Sequence, residues 1–478
     1  MMKIAIAIGV LILVMNIVFS FSLIFIERKD PTTTWAWLLI MILLPGIGFL
    51  IYLLLGQNLS RERLFKEKKV LDENKRRELS MSFVDDSEGK AGSDVYLDLK
   101  RMNYNQCGAK YTLGNDIEIY YDGEDKFVRL LEDLRNAKKY IHIQYYIFRK
   151  ESIGKEIIKI LEEKALEGVE VRFLVDSMGS YSLTKRSVKK LIKNGGKFEI
   201  FFPGILPHIN TRVNYRNHRK IVVIDGEYGY TGGFNVAKEY VNQDEKIGFW
   251  RDTHIRIRGE AVNDLNERFL LDWCYASGEK IDDFTMYYPK EPYTGGDKGI
   301  QIVTSGPDHK EEYIKHAYIK MINNAKKNIY LQTPYFVPDE PMLEALKLAA
   351  LSGVDVRIII PGKPDHIFMK WAASAYIGDI IEAGGKIYTY ENGFIHSKTM
   401  VVDGQVSSIG TANMDIRSFK LNFEVNAFIY DSRVAMDMEN QFFEDINNSE
   451  LITKAEYNGR SNWLKMKESI IRLLSPIL

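Results

Sequence analysis

Two short patterns in this chain combine a histidine, a lysine and an aspartate at matching spacing. His218, Lys220 and Asp225 form the first; His396, Lys398 and Asp403 form the second. Each is trailed by small residues and an asparagine: Gly232, Gly233, Phe234 and Asn235 in one copy, Gly410, Thr411, Ala412 and Asn413 in the other. The histidine-to-asparagine separation is 17 in both copies (235 − 218 and 413 − 396). A single motif is expected by chance roughly 0.05 times in a chain with this few histidines. One copy alone would read as a solvated His and Lys beside an apolar strand; two matched copies outweigh that reading. The chemistry they suit is that of a phosphate ester. Such a reaction needs a nucleophile, a proton donor for the leaving oxygen and several donors for developing negative charge. Imidazole serves the first two needs, and ammonium and amide groups serve the third.

The elements that position these groups also repeat. Residues 137–144 resemble residues 325–332 at an offset of 188, and residues 168–174 resemble 353–359 at an offset of 185 (325 − 137 and 353 − 168). The motifs themselves sit 178 apart (396 − 218), so loop lengths differ while the order of elements is kept. Each half reads as a helix (126–136; 315–324), a strand (140–147; 328–335), a helix (154–166; 341–351) and a strand (169–175; 354–360). A further helix, a short strand near 198–202 or 386–390 and a motif strand (220–224; 398–402) follow. Strands alternating with helices predict an α/β fold: two tandem lobes, each a sheet flanked by helices. Two such sheets packed side by side would bring the motifs to one cleft. In an extended segment His218 and Lys220 would project from one face, the Gly pair would permit close backbone approach, and the Asn would supply an amide.

Lys plus Arg number 64 and Asp plus Glu number 64, a balance that argues against coating nucleic acid by bulk charge. Two cysteines, Cys107 and Cys274, support neither a disulfide framework nor a zinc ribbon. The N-terminus departs most in composition. Residues 4–26 and 35–55 are apolar runs, each near the roughly 20 residues that cross a bilayer core as a helix. The short loop between them predicts a hairpin. Arg61, Arg63, Lys66, Lys68, Lys69, Lys75, Arg76 and Arg77 beyond it, against only Arg28 and Lys29 in the loop, place the rest of the chain in the cytoplasm. Those cations would sit at anionic headgroups. The expected organisation is a transmembrane hairpin (1–57), a basic juxtamembrane linker (58–110) and lobes at 111–295 and 296–478. In the last segment, apolar residues at 463, 466, 470, 471 and 474 form a helical stripe for the membrane or for the second lobe.

With paired HxKxxxxD motifs the chain resembles the phospholipase D superfamily. The runs 216–220 and 230–235, Trp250 to His254, the terminal residues 473–478 and the N-terminal hairpin resemble bacterial cardiolipin synthases more closely. The resemblance covers nearly the whole chain, least over 69–110. It implies a covalent phosphohistidine route with no metal or other cofactor: His218 attacks one phosphatidylglycerol, and His396 first protonates the departing glycerol and then activates a second phosphatidylglycerol. Lys220, Lys398, Asn235 and Asn413 would hold the phosphoryl oxygens. Asp252 and Glu424, 34 and 28 residues after their histidines (252 − 218 and 424 − 396), match the superfamily's histidine-orienting acids. Asp225 and Asp403 belong to the catalytic motifs, yet their positions suit buttressing of their own turns. Thr411 in place of a second glycine is expected to matter little. His142, His208, His254, His309, His316 and His366 read as structural or solvated. Tyr145, Tyr146, Tyr335 and Phe336 line either a lipid entrance or the core. The function implied is membrane-bound condensation of phosphatidylglycerol to cardiolipin, with lipid hydrolysis as the alternative. A nuclease and an anchored scaffold fit the hairpin and the two complete motifs less well.

Overall fold

The computed structural model describes residues 10, 14–21, 23–27, 31–48, 52, 65–66, 68–70, 72–73, 96–203, 214–365 and 367–474. The sheet strands run, in chain order, β1 (Tyr111–Tyr120), β2 (Tyr140–Tyr145), β3 (Glu170–Asp176), β4 (Lys197–Phe201), β5 (Ile221–Ile224), β6 (Tyr228–Gly232) and β7 (His254–Arg258) in the first half. The second half has β8 (Lys298–Ser305), β9 (Asn328–Gln332), β10 (Asp355–Pro361), β11 (Lys386–Tyr390), β12 (Thr399–Val402), β13 (Val406–Gly410), β14 (Asn422–Tyr430) and β15 (Ser449–Leu451). Outward from β1 the order is β7, β6, β5, β2, β3, β4; outward from β8 it is β14, β13, β12, β9, β10, β11, β15. Seven strands of each half are therefore equivalent in order, and β15 extends the second half with no counterpart among the described residues of the first.

β1 pairs antiparallel with β8, so the expected two sheets are one continuous sheet joined edge to edge. The reason is elementary: an exposed edge strand carries a row of unpaired N–H and C=O groups, and two equivalent edges satisfy one another. β2, β3 and β4 pair in parallel, as do β9, β10 and β11, and helical crossovers link them. The inner motif strand β5 is buried at all four positions, each aliphatic side chain contributing about 1.5–3 kcal/mol.

The flanking helices are α1 (Gly123–Asn136), α2 (Ser152–Leu166), α3 (Ala261–Ser277), α4 (Tyr313–Asn324), α5 (Glu340–Leu351), α6 (Ile367–Glu382), α7 (Ser432–Asn447) and α8 (Asn462–Leu474). Their starts follow local chemistry. Asp122, Asp339 and Asp431 cap α1, α5 and α7 by accepting backbone N–H bonds. α1 then buries Phe127, Leu130, Leu131 and Leu134 on one stripe. α8 packs on α6 through Ile471 and leaves Trp463, Met466 and Ile470 exposed, so its apolar residues divide between the lobe and the surface.

Among the described residues no helix is long and apolar enough to cross a membrane. The helix Pro31–Leu43 has 13 residues. At about 1.5 Å per residue it is shorter than a bilayer core of about 30 Å. It stops where Pro45 offers no N–H and Gly46 adopts φ +82°. Parts of both expected spans lie outside the described residues. The described parts do pack together: Asn16 donates to the Met41 carbonyl at 3.2 Å, and Trp37 meets Tyr52 edge-on at 5.1 Å.

Candidate active site

His218 and His396 lie between two paired segments: Arg216–Asn217 and Phe394–Ile395 precede them, and β5 and β12 begin at Ile221 and Thr399. Each lysine folds back. Lys220 Nζ donates to the His218 carbonyl at 2.7 Å, and Lys398 Nζ donates to that of His396. The backbone thus holds each ammonium beside its own imidazole.

The two halves meet through crossed carboxylates. His218 Nδ1 lies 3.0 Å from both oxygens of Glu424, which belongs to the second half. His396 Nδ1 lies 2.6 Å from Asp252 Oδ2, which belongs to the first. Asp252 and Glu424 therefore serve the opposite motif rather than their own. The sheet register explains why they are equivalent. Gly232 faces His254 and Gly410 faces Asn426, and each acid lies two residues before that partner. Both acids are fully buried, and the histidines are nearly so. With Nδ1 engaged by a carboxylate, Nε2 is the nitrogen left for phosphorus.

Burial pushes His218 down, opposed by Glu424. Burial and the neighbouring Lys398 push His396 down to about 4. Burial lowers Lys220 to about 7 and Lys398 to about 8. Each lysine's charge is felt at both histidines, so the four groups share one site. An entering phosphodiester would favour the charged form of all four.

The small residues after each motif act by contact. A Cβ on Gly233 would lie 1.9 Å from Asp252 Oδ1, so only glycine admits that carboxylate. In the other half Thr411 touches the crossed acid. Its hydroxyl donates to Glu424 Oε2 at 2.5 Å, and Asn422 Nδ2 donates to Glu424 Oε1 at 3.3 Å. Asn235 is buried, accepting from the Ile147 N–H at 3.1 Å and donating to the Tyr240 hydroxyl at 2.8 Å, which leaves one amide hydrogen. Asn413 keeps a buried Oδ1 with no hydrogen-bond partner among the described residues.

Asp225 and Asp403 stand apart from the histidines' partners. Asp225 accepts the N–H groups of Lys138, Lys139 and Tyr140 at 2.7–2.9 Å, and Asp403 accepts those of Lys326, Lys327 and Asn328 at 2.7–3.0 Å. Both adopt φ +56°, so each ties a tight turn to the start of the neighbouring strand. Three backbone donors leave little of either carboxylate for chemistry, and the buttressing reading replaces the catalytic one.

Of the other candidates, Tyr146 meets His218 edge-on at 4.9 Å, while Tyr145 is buried on Lys126 and Phe336 lies in the core. Tyr335 donates to Asp365. His142 bonds Asn266, His316 bonds Gln106, and His254 is buried; His208 and His366 lie outside the described residues. Two supporting acids escaped the sequence reading. Asp272 on α3 takes Arg219, Arg268, Asn217 and Gln144, and Asp445 on α7 takes Arg251 and Gln332. They follow Asp252 and Glu424 by 20 and 21 residues (272 − 252 and 445 − 424), a matched spacing in the repeat that could have exposed them.

A family model described as cardiolipin synthase, PLD-like domain, matches residues 130–273 and 318–446. A second, described as phospholipase D-nuclease N-terminal, matches residues 14–57. A cardiolipin synthase of Clostridium perfringens is 51% identical over 444 residues, spanning 92% of this chain and 93% of its own. The chain belongs to the cardiolipin synthase family of the phospholipase D superfamily. A cardiolipin synthase of Staphylococcus aureus is 48% identical over 452 residues, 92% of this chain and 90% of its own. The family fold recurs in a solved phosphatidylserine synthase of Haemophilus influenzae, with TM-score 0.59 and 17% identity over 80% of this chain and 100% of that one.

Proposed function

We propose that this protein condenses two phosphatidylglycerol molecules into cardiolipin and glycerol through a phosphatidyl-histidine. The observation that carries the reading is the crossed pair of imidazoles, each fixed at Nδ1 by the other half's carboxylate and flanked by Lys220 and Lys398. Family membership supports the lipid substrate, because the relatives compared are named cardiolipin synthases.

In the first step His218 Nε2 attacks phosphorus. A P–N bond forms, the P–O bond to the terminal glycerol breaks, and His396 Nε2 gives its proton to the leaving oxygen. In the second step a hydroxyl of another phosphatidylglycerol returns a proton to His396 Nε2. Its oxygen attacks phosphorus and the P–N bond breaks. Glu424 stabilises the charge on His218 in the intermediate, and Asp252 stabilises the imidazolium of His396. Lys220 and Lys398, with Asn235 and Asn413, face the charge that develops on the phosphoryl oxygens. The phosphodiester's own charge opposes the burial that lowers His396, so the proton is held when substrate is bound.

The apolar N-terminal runs form a membrane hairpin in this reading, with both lobes on the cytoplasmic side and anionic lipid as the partner. The test is purified protein with labelled phosphatidylglycerol and chromatography of the products. Cardiolipin and glycerol are expected. Phosphatidic acid as the sole lipid product would replace synthesis by hydrolysis. A phosphohistidine trapped at His396 instead of His218 would exchange their roles.

A further inference from the structure

Between the apolar runs and the first lobe, Phe65, Lys68 and Asp72 are buried in the protein. Its described residues, 65–66, 68–70 and 72–73, are helical. Phe65 packs against Phe202, Tyr215 and Phe423 with ring centroids 5.3–5.8 Å apart. Lys66 is exposed and Lys69 half-buried, but Lys68 is 0% exposed, so one of the cations expected at the lipid surface is interior.

Lys68 Nζ lies 2.8 Å from Asp72, 3.0 Å from Asp308 and 3.7 Å from Asp272. Arg268 joins Asp72 and Asp272 at 2.7 Å each, and Arg219 meets Asp272 at 2.7 Å. Three buried cations thus face three buried carboxylates. Asp72, Asp308 and His309 approach closely enough to hold a metal ion, but Lys68 and Arg268 already supply positive charge there. The network continues to the site. Arg219 Nε donates to the Glu424 carbonyl at 3.1 Å, and Asn217 donates to Asp272 at 3.1 Å. Residues 217 and 219 flank His218, whose Nδ1 rests on the Glu424 carboxylate.

Stability alone is a weak reason for such a cluster. Replacing buried ion pairs by apolar side chains of similar volume is often neutral or stabilising, whereas a buried network can fix one arrangement. The equivalent acid of the second half, Asp445, is closed by Arg251, and among the described residues no charge of the N-terminal segment joins it.

We propose that Lys68 and Asp72 are positioning residues for the first half-site: they close the buried charge around Asp272 and so fix Arg219, Glu424 and His218 relative to the segment emerging from the apolar runs. This rests on the reading of His218 and Glu424 as a reacting pair. Removing Lys68 leaves the cluster one negative charge in excess, which favours the His218 imidazolium.

The experiment uses the full-length protein in lipid–detergent micelles. Lys68→Met is expected to lower kcat by about 10-fold with little change in KM, to the extent a mispositioned reacting group governs the step. The His218 limb of the pH profile moves to higher pH, and so does a ¹⁵N NMR titration of His218, which needs no turnover. Lys68→Arg restores both readouts. Lys68→Met combined with Asp308→Asn, which re-closes the charge, recovers most of kcat. Lys69→Met changes neither. Lost thermal stability with unchanged kcat and His218 titration in Lys68→Met would overturn the proposal, as would a folded double variant no better than the single one. If Lys68→Met does not fold, the Arg and double variants decide. A wild-type protein inactive on phosphatidylglycerol whose His218 titration still shifts in Lys68→Met would sink the functional reading and keep the coupling.

Discussion

The two half-sites come from equivalent strands but are furnished differently. His218 shares two 3.0 Å contacts with Glu424, a carboxylate further held by Thr411 and Asn422. His396 makes one 2.6 Å contact with Asp252, to which the Thr253 N–H donates at 2.7 Å. Trp250, Phe394 and Tyr240 ring His396 at 5.2, 6.1 and 6.2 Å, whereas the ring beside His218 is Tyr146 at 4.9 Å. A repeated motif fixes the positions of like groups; their surroundings decide whether they act alike. The proposed reaction needs one imidazole to attack and one to carry a proton, and this asymmetry supplies two environments for two tasks.

The comparison breaks most severely if the imidazoles are removed. His218→Ala is expected to reduce turnover by more than about 10³-fold. His396→Ala should do the same, and single-turnover assays of the phosphohistidine separate the two by step. Next come the crossed acids. Glu424→Gln should slow formation of the intermediate by about 10²-fold, and Asp252→Asn should slow the protonation-dependent steps by a similar factor. Each acid acting on its own motif's histidine would reverse that assignment. Gly233→Ala forces a methyl group onto the Asp252 carboxylate and should impair the His396 steps without touching His218. Thr411→Val removes a hydrogen bond to a buried carboxylate, worth about 1.5–3 kcal/mol, and should lower kcat by about tenfold.

The smallest effect is on pH stability. His396 stays neutral in the fold down to about 4, against an ordinary imidazole value of 6.5. Between those values the unfolded chain binds more protons, so stability rises with pH through the window and falls on acidification. His396→Asn should flatten that slope by about one proton, or about 1.4 kcal/mol per pH unit, measured by denaturant titration. His218 contributes in the same direction.

The repeat made the strand order readable, because hydrophobic strands and capped helices are local features. β2, predicted to reach 147, ends at Tyr145, and β9, predicted to reach 335, ends at Gln332; Tyr146, just beyond β2, meets His218. The crossing was not readable. Which histidine meets Glu424 is set by the joining of β1 to β8, and no periodicity encodes the pairing of two edges. The unequal spacings of 34 and 28 reflect the connection from Gly232 to His254, six residues longer than that from Gly410 to Asn426 (22 against 16). Lys68 shows a second limit. In sequence it is one cation of a basic run, and what buries it are Asp272 and Asp308, over 200 positions away (272 − 68 and 308 − 68). Thr411 looked like a neutral exchange because its partner acid is 13 residues on, across a strand pair.

Exchange of acids across a continuous sheet is the arrangement of a symmetric dimer written into one polypeptide. Cutting the chain between α3 and β8 should leave two fragments inactive apart and active once reassociated, since neither carries a complete histidine–acid pair. Joining the halves also frees them from identity. In a true homodimer a Thr411 on one side would appear on both, and a socket for Lys68 would need two plugs. Covalent fusion lets one half specialise without imposing the change on the other.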